Sequence, residues 1–109
     1  MDEPGHDTTA RLLAHAEIGQ LAHRYAVYTD ARDLDALVEL YVPDVAISST
    51  LQGRATLRGL FDSALREVGV TFLQVGTHLI DLTDDGDHGT GIVYCRAEIQ
   101  DGGPDSERW

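Results

Sequence analysis

A histidine inside an otherwise apolar, alternating segment is the residue best suited to chemistry. Residues alternate with a period of two from Thr71 to Leu82, which predicts a strand. The alternation places these residues on one face: Phe72, Gln74, Gly76, His78, Ile80 and Leu82. A buried imidazole must be hydrogen-bonded, and it can take and return a proton at neutral pH. His78 is therefore either a general base or a structural histidine of the core.

A carboxylate and a phenol belong to the end of a predicted first helix, residues 9–29. Asp30 follows this helix directly, where its negative charge opposes the helix macrodipole, which indicates that another interaction keeps it there. Tyr25 lies on the apolar stripe of the helix. It is either a core tyrosine or a phenol that polarises a substrate carbonyl.

Other candidates carry weaker signals. Asp101, beside Gly102-Gly103-Pro104, is either a turn residue or a second acid or base. Ser48, at the end of a predicted strand, could reach a ligand. The aromatic residues assigned to the pocket wall or core are Tyr41, Phe61 and Tyr94.

No metal or cofactor is predicted. His6-Asp7 and the segment Asp84–His88 have the residue types of metal ligands but not a recognised spacing. No glycine-rich phosphate loop follows a strand, and the absence of lysine excludes Schiff-base chemistry.

The amino-acid composition limits the classes of partner that the protein is expected to bind. The 109 residues suit one domain, and 19 acidic residues against eight basic ones, all arginine, give a net charge of -11. Such a surface repels phosphate backbones and anionic lipid, so no nucleic-acid or membrane partner is expected. The N-terminus has no apolar signal core, and a cytoplasmic location is the default expectation.

The elements that must position these residues form an α+β pattern. Helices gathered before antiparallel strands predict helices on one face of a curved sheet. After the first helix, the sequence predicts a helix from Asp33 to Tyr41, a strand Val45–Ser48 and a helix Arg54–Val68. Two further strands follow, Thr71–Leu82 and His88–Asp101, and a turn with an Asp85-Gly86 step joins these two strands. One face of the last strand is small and apolar, with Gly89, Gly91, Val93, Cys95, Ala97 and Ile99.

Several short motifs, taken in order, resemble the SnoaL-like branch of the NTF2-like superfamily. They are Arg24-Tyr25-Ala26, Asp30, Asp33-Leu34-Asp35-Ala36-Leu37, Tyr41-Val42-Pro43-Asp44, Gly53, Thr77-His78 and the stretch from Asp87 to Tyr94-Cys95. The resemblance covers residues 18–101. It implies a cone in which N-terminal helices close a strongly curved antiparallel sheet around a pocket.

The site pattern is most similar to those of scytalone dehydratase and bile-acid 7-alpha-dehydratase. This resemblance implies that Asp30 and His78 form a catalytic pair, with Tyr25 and Asp101 as further site residues. It implies a cofactor-independent dehydratase for a small hydrophobic cyclic molecule with a carbonyl, such as a polyketide or steroid. His78 would transfer the proton, Asp30 would orient it and Tyr25 would stabilise the enolate oxygen. Ketosteroid-isomerase-like or cyclase activity, or a non-catalytic binding or assembly module, remain alternatives.

The resemblance also bears on the boundaries of the domain. Residues 1–8 are expected to be a disordered lead, and residues 9–109 a single domain that lacks the last strands of the family sheet. The edge of the last strand would then be unpaired, which favours association. A homo-oligomer, either a dimer or a trimer, is expected.

Overall fold

Within residues 4–101, three helices precede one β-hairpin. The computed structural model describes residues 4–101, with side chains from Thr8 onward. The elements are α1 (Pro4–Ala31), α2 (Leu34–Val38), α3 (Arg54–Arg66), β1 (Thr71–Leu82) and β2 (Gly89–Ile99). The helix–helix–helix–hairpin order agrees with an α+β class.

The long helix α1 lies beside β1 and runs antiparallel to it. Arg11 Nη1 donates to the Thr83 carbonyl at 3.0 Å, near the hairpin turn, whereas Asp30 contacts the start of β1. The helix begins at Pro4, inside the segment expected to be a disordered lead. Residues 1–3 lie outside the described range, and the domain boundaries 9–109 stay a prediction.

A Schellman motif ends α1, and the chain continues directly into α2. Arg32 has the left-handed φ of 59° that such a motif requires, without being glycine. Its N–H donates to the Thr29 carbonyl, and the Asp33 N–H donates to the Tyr28 carbonyl. The Asp33 carboxylate then caps α2 by accepting from Ala36 N at 3.2 Å, which confirms the predicted cap.

The two strands form an antiparallel hairpin. Pairing runs from Thr71 opposite Ile99 to Leu82 opposite Gly89, with one register shift between Val75 and His78. Gly86 has a φ of 76°, as an Asp-Gly turn requires. Within residues 4–101, β2 pairs with β1 alone.

The predicted strand Val45–Ser48 is wrong. Only an isolated bridge between Ala46 and Gln52 forms there. Ser48 Oγ accepts from the backbone N–H groups of Thr50 and Leu51 at 3.3 and 3.1 Å. A serine that captures nearby N–H groups closes a tight turn, so the chain reverses before a strand can extend.

The core is small and lies where the end of α1 meets α2. Its buried apolar residues are Ala26, Leu34, Leu37 and Val38. Helix α3 has no buried residue, and every residue of β2 is exposed. The described residues therefore contain helices on a two-stranded sheet, and the strongly curved cone that was expected is not seen in them. None of the described helices combines the length and apolar character needed to cross a bilayer.

Candidate functional site

The β-bulge in β1 decides which of its side chains face α1. Gly76 and Thr77 together stand opposite Tyr94, so the alternation shifts by one residue at this point. Before the bulge the more buried positions are Thr71, Leu73 and Val75, and after it they are His78, Ile80 and Leu82. The predicted face is therefore wrong before the bulge, where Phe72 is 55% exposed, and correct from His78 onward.

His78 shares a cavity of about 260 Å³ with two phenols, those of Tyr25 and Tyr41. The rest of the wall is apolar and consists of Ile18, Leu21, Ala22, Leu40 and Val93. Ile18, Leu21 and Ala22 belong to the apolar stripe predicted for the first helix, and Leu40 belongs to the apolar face predicted for the second helix. The described residues thus give this cavity one imidazole and two hydroxyl groups, and none of the described lining residues is a carboxylate or an arginine.

The two tyrosines are held by a third aromatic ring. The Phe61 ring lies 6.4 Å from the Tyr25 ring, edge to face, and 6.3 Å from the Tyr41 ring. Phe61 therefore supports the wall from α3. Burial raises the pKa of Tyr41 above its ordinary value, and the neighbouring Tyr25 adds to this. The Tyr41 phenol consequently keeps its proton and can donate a hydrogen bond.

Asp30 lies elsewhere, and its predicted contact with His78 is not formed. Its carboxylate accepts from Thr71 Oγ1 at 2.8 Å and from Leu73 N at 2.9 Å, so both oxygens bind the start of β1, on the edge that pairs with no strand among residues 4–101. Arg32 Nη1 also donates to Thr71 Oγ1, at 2.8 Å. These bonds offset the unfavourable placement of Asp30 at a helix C-terminus. Asp30 joins α1 to β1 rather than orienting the imidazole.

The remaining predicted site residues do not converge on the cavity. The Ser48 hydroxyl is used in its turn. Tyr94, 66% exposed, lies on the face of β2 opposite Val93. Asp101 is exposed beyond the end of β2, roughly 25 Å along an extended strand from Val93.

Gly91 is a site residue that the sequence analysis did not single out. A Cβ built there would lie 3.5 Å from His78 Nε2 and 2.8 Å from the Leu79 carbonyl oxygen. The missing side chain therefore leaves room for the Leu79 carbonyl, and an added Cβ would be in van der Waals contact with the imidazole. The small apolar face predicted for the last strand includes Gly91, but nothing in that pattern connects Gly91 with His78.

No group of metal-binding side chains forms within the described part of the chain. The side chains of His6 and Asp7 lie outside it. In the hairpin turn, Asp85 accepts hydrogen bonds from Thr83 Oγ1 and Asp87 N, and these bonds, the one from Thr83 first, lower the pKa of Asp85. This carboxylate stabilises the turn.

Comparison with known proteins agrees with these features of the fold. The sequence profile of the SnoaL-like domain family matches residues 10–109. No curated protein and no solved structure matches the chain significantly. The profile match spans most of the chain, and therefore the protein belongs to the SnoaL-like domain family of the NTF2-like superfamily.

Proposed function

We propose that the protein is a cofactor-independent lyase that dehydrates a small cyclic molecule by moving a proton next to a carbonyl group. The observation that supports this most is the cavity that His78 shares with Tyr25 and Tyr41. An imidazole is suited to proton transfer near neutral pH, and two phenols can donate to one developing oxyanion. SnoaL-like domains bind small molecules and include polyketide cyclases and dehydratases, which supports this class of substrate.

The proposed reaction needs only these three side chains. A ring nitrogen of His78 takes the proton from the carbon beside the carbonyl, and the electron pair moves onto the carbonyl oxygen. Tyr25 and Tyr41 donate hydrogen bonds to that oxygen. The imidazolium then returns the proton to the hydroxyl on the next carbon, which leaves as water while the double bond forms. Proton transfer by a positioned group contributes about 10²–10⁴-fold, so the phenols must supply much of the remaining acceleration.

A binding module is the second candidate, and one observation favours it. No carboxylate among the described residues hydrogen-bonds His78, because the oxygens of Asp30 bind the edge of β1. A catalytic imidazole is commonly held in one tautomer by such a partner. Without one, His78 can act as a polar contact for a bound ligand.

Proton exchange on a simple cyclic hydroxyketone separates these candidates. The probe is 3-hydroxycyclohexanone in heavy water, followed by proton NMR for deuterium uptake beside the carbonyl and for cyclohexenone formation. Wild-type protein should accelerate both processes. His78→Ala should reduce the rate by about 100-fold or more, whereas His23→Ala, an exposed histidine of α1, should leave it unchanged.

Other outcomes of this experiment would favour the binding module or refute the role of the cavity. Ligand-induced shifts at His78 without proton exchange would favour the binding module. Acceleration that survives in His78→Ala, or neither shifts nor exchange, would refute the role of this cavity.

We also propose that the chain forms a homo-oligomer. The exposed side chains of β2 and its pairing with β1 alone within residues 4–101 support this. Light scattering on the eluting protein measures the mass directly, and a species of 11.9 kDa across the working concentration range would contradict the proposal.

A further inference from the structure

A groove larger than the His78 cavity lies beside the start of β1. It has a volume of about 620 Å³ and is bounded by the end of α1, the C-terminal part of α3 and the segment that leads into β1. One part of its wall is apolar and is formed by Leu34, Leu65, Val68 and Val70. The other part holds Arg32, Arg58 and Arg66, three of the eight basic residues in a chain of net charge -11.

Arg32 differs from the other two arginines in its partners. Its guanidinium donates to the carbonyls of Thr29 and Gly69 and to the Thr71 hydroxyl, all of them uncharged acceptors. Among residues 8–101, no carboxylate lies within ion-pairing distance of it. A guanidinium has five N–H donors, and these three bonds leave two of them unused by the described residues. Arg32 is therefore fixed in place, half-buried, and keeps donors for a further acceptor.

The other two arginines are in contact with carboxylates. Arg58 Nε donates to Asp35 Oδ1 at 2.7 Å, and Arg66 pairs with Asp62 one helical turn away. Asp30 reaches Thr71 Oγ1, the same hydroxyl that Arg32 binds, so its charge is also nearby. The positive charges of the three arginines are thus balanced by the negative charges of Asp30, Asp35 and Asp62. The groove carries no excess charge and suits one added negative charge better than two.

We propose that this groove binds a singly charged amphipathic anion, a carboxylate attached to an apolar chain or ring. The carboxylate accepts hydrogen bonds from Arg32, since a guanidinium matches the planar geometry of a carboxylate. The apolar part lies along Leu65 and Val70. Binding here does not depend on His78, which lines a different cavity.

Calorimetric titration with two matched probes tests the proposal. 4-Phenylbutyrate carries the carboxylate, and 4-phenylbutanol has the same apolar part without the charge. The carboxylate should bind at least about tenfold more tightly than the alcohol, because hydrogen bonds between charged groups are stronger than those to a neutral hydroxyl. Added salt should weaken binding of the carboxylate alone.

Variants identify the residues responsible. Arg32→Gln should lower the affinity for phenylbutyrate about tenfold, but it also removes hydrogen bonds that join α1 to the start of β1 and can therefore disturb the fold. Arg66→Gln avoids this difficulty, because Arg66 is 71% exposed and its one polar contact among residues 8–101 is the ion pair within α3. It should lower the affinity about threefold, within the range for a partly screened charge. The matched control is Arg24→Gln, an exposed arginine of α1 that does not line the groove.

Four results would overturn the proposal. Equal affinity for the alcohol would show that charge is not recognised, and equal losses in Arg24→Gln and Arg66→Gln would show only a general effect of net charge. Inorganic phosphate that binds more tightly than phenylbutyrate would rule out an amphipathic ligand. Loss of phenylbutyrate binding in His78→Ala would place the probe in the His78 cavity. Because this last variant also tests the proposed lyase, unchanged binding together with lost proton exchange separates the two proposals.

Discussion

Replacing Asp30 by alanine should destabilise the fold rather than abolish the chemistry. The substitution removes the acceptors of Thr71 Oγ1 and Leu73 N, at 2.8 and 2.9 Å. Each hydrogen bond to a charged group contributes about 1.5–3 kcal/mol, and partial exposure to water favours the lower end. The free energy of unfolding should fall by about 3 kcal/mol. For a domain near this size, that corresponds to a fall in Tm of about 12–24 °C.

Urea unfolding followed by circular dichroism measures this loss. Asp30→Asn keeps one acceptor oxygen and should lose about half as much, whereas Asp81→Asn, an exposed position of the same strand, should unfold like the wild type. An Asp30→Ala protein within about 0.5 kcal/mol of the wild type, the usual range for surface substitutions, would refute the structural role. If that protein also lost proton exchange, Asp30 would act in the chemistry, as the family pattern implies.

Three further predictions concern Tyr41, Gly53 and Gly91. The raised pKa of Tyr41 favours the protonated phenol in the folded state, so its contribution to stability should be complete below about pH 10 and lost as the pH rises through the raised pKa. The difference in unfolding free energy between the wild type and Tyr41→Phe should therefore shrink above about pH 10, and a difference that stays constant with pH would contradict the raised pKa. Gly53→Ala should cost about 1–3 kcal/mol in thermal unfolding, because its φ of 96° and ψ of 152° are almost restricted to glycine while no atom would contact the new Cβ. Gly91→Ala should cost about 1–3 kcal/mol and shift the NMR signals of the His78 ring, since its Cβ would lie 2.8 Å from the Leu79 oxygen; an unchanged melt and spectrum would contradict this packing.

Local periodicity predicted most elements correctly. The strand Thr71–Leu82 matches its predicted bounds, and α3 begins at the predicted Arg54. The cap at Asp33 depends only on residues within one helical turn, so it too could be predicted from the sequence. The prediction at Val45–Ser48 was wrong because Ser48 binds backbone groups that a strand would have left for pairing.

The candidate site was predictable only in part. Tyr25 follows from the helical stripe, and His78 follows from the strand pattern after the bulge, because both depend on periodicity within one element. The complete lining of the cavity could not be predicted from one element, because it forms only when α1, the Leu40–Tyr41 segment and the hairpin pack together. The family resemblance paired Asp30 with His78, but it could not show that the edge of β1 holds the Asp30 carboxylate.

The sequence by itself determined the order of helices and strands and the residue types available for proton transfer, because these depend on neighbours along the chain. Tertiary structure decided which of those residues meet. The bulge at Gly76 and Thr77 shifts the alternation by one residue, and a shift of one exchanges the two faces of a strand. Asp30 likewise binds whichever donors come within hydrogen-bond distance once α1 lies against β1, and those donors are more than forty residues away along the chain.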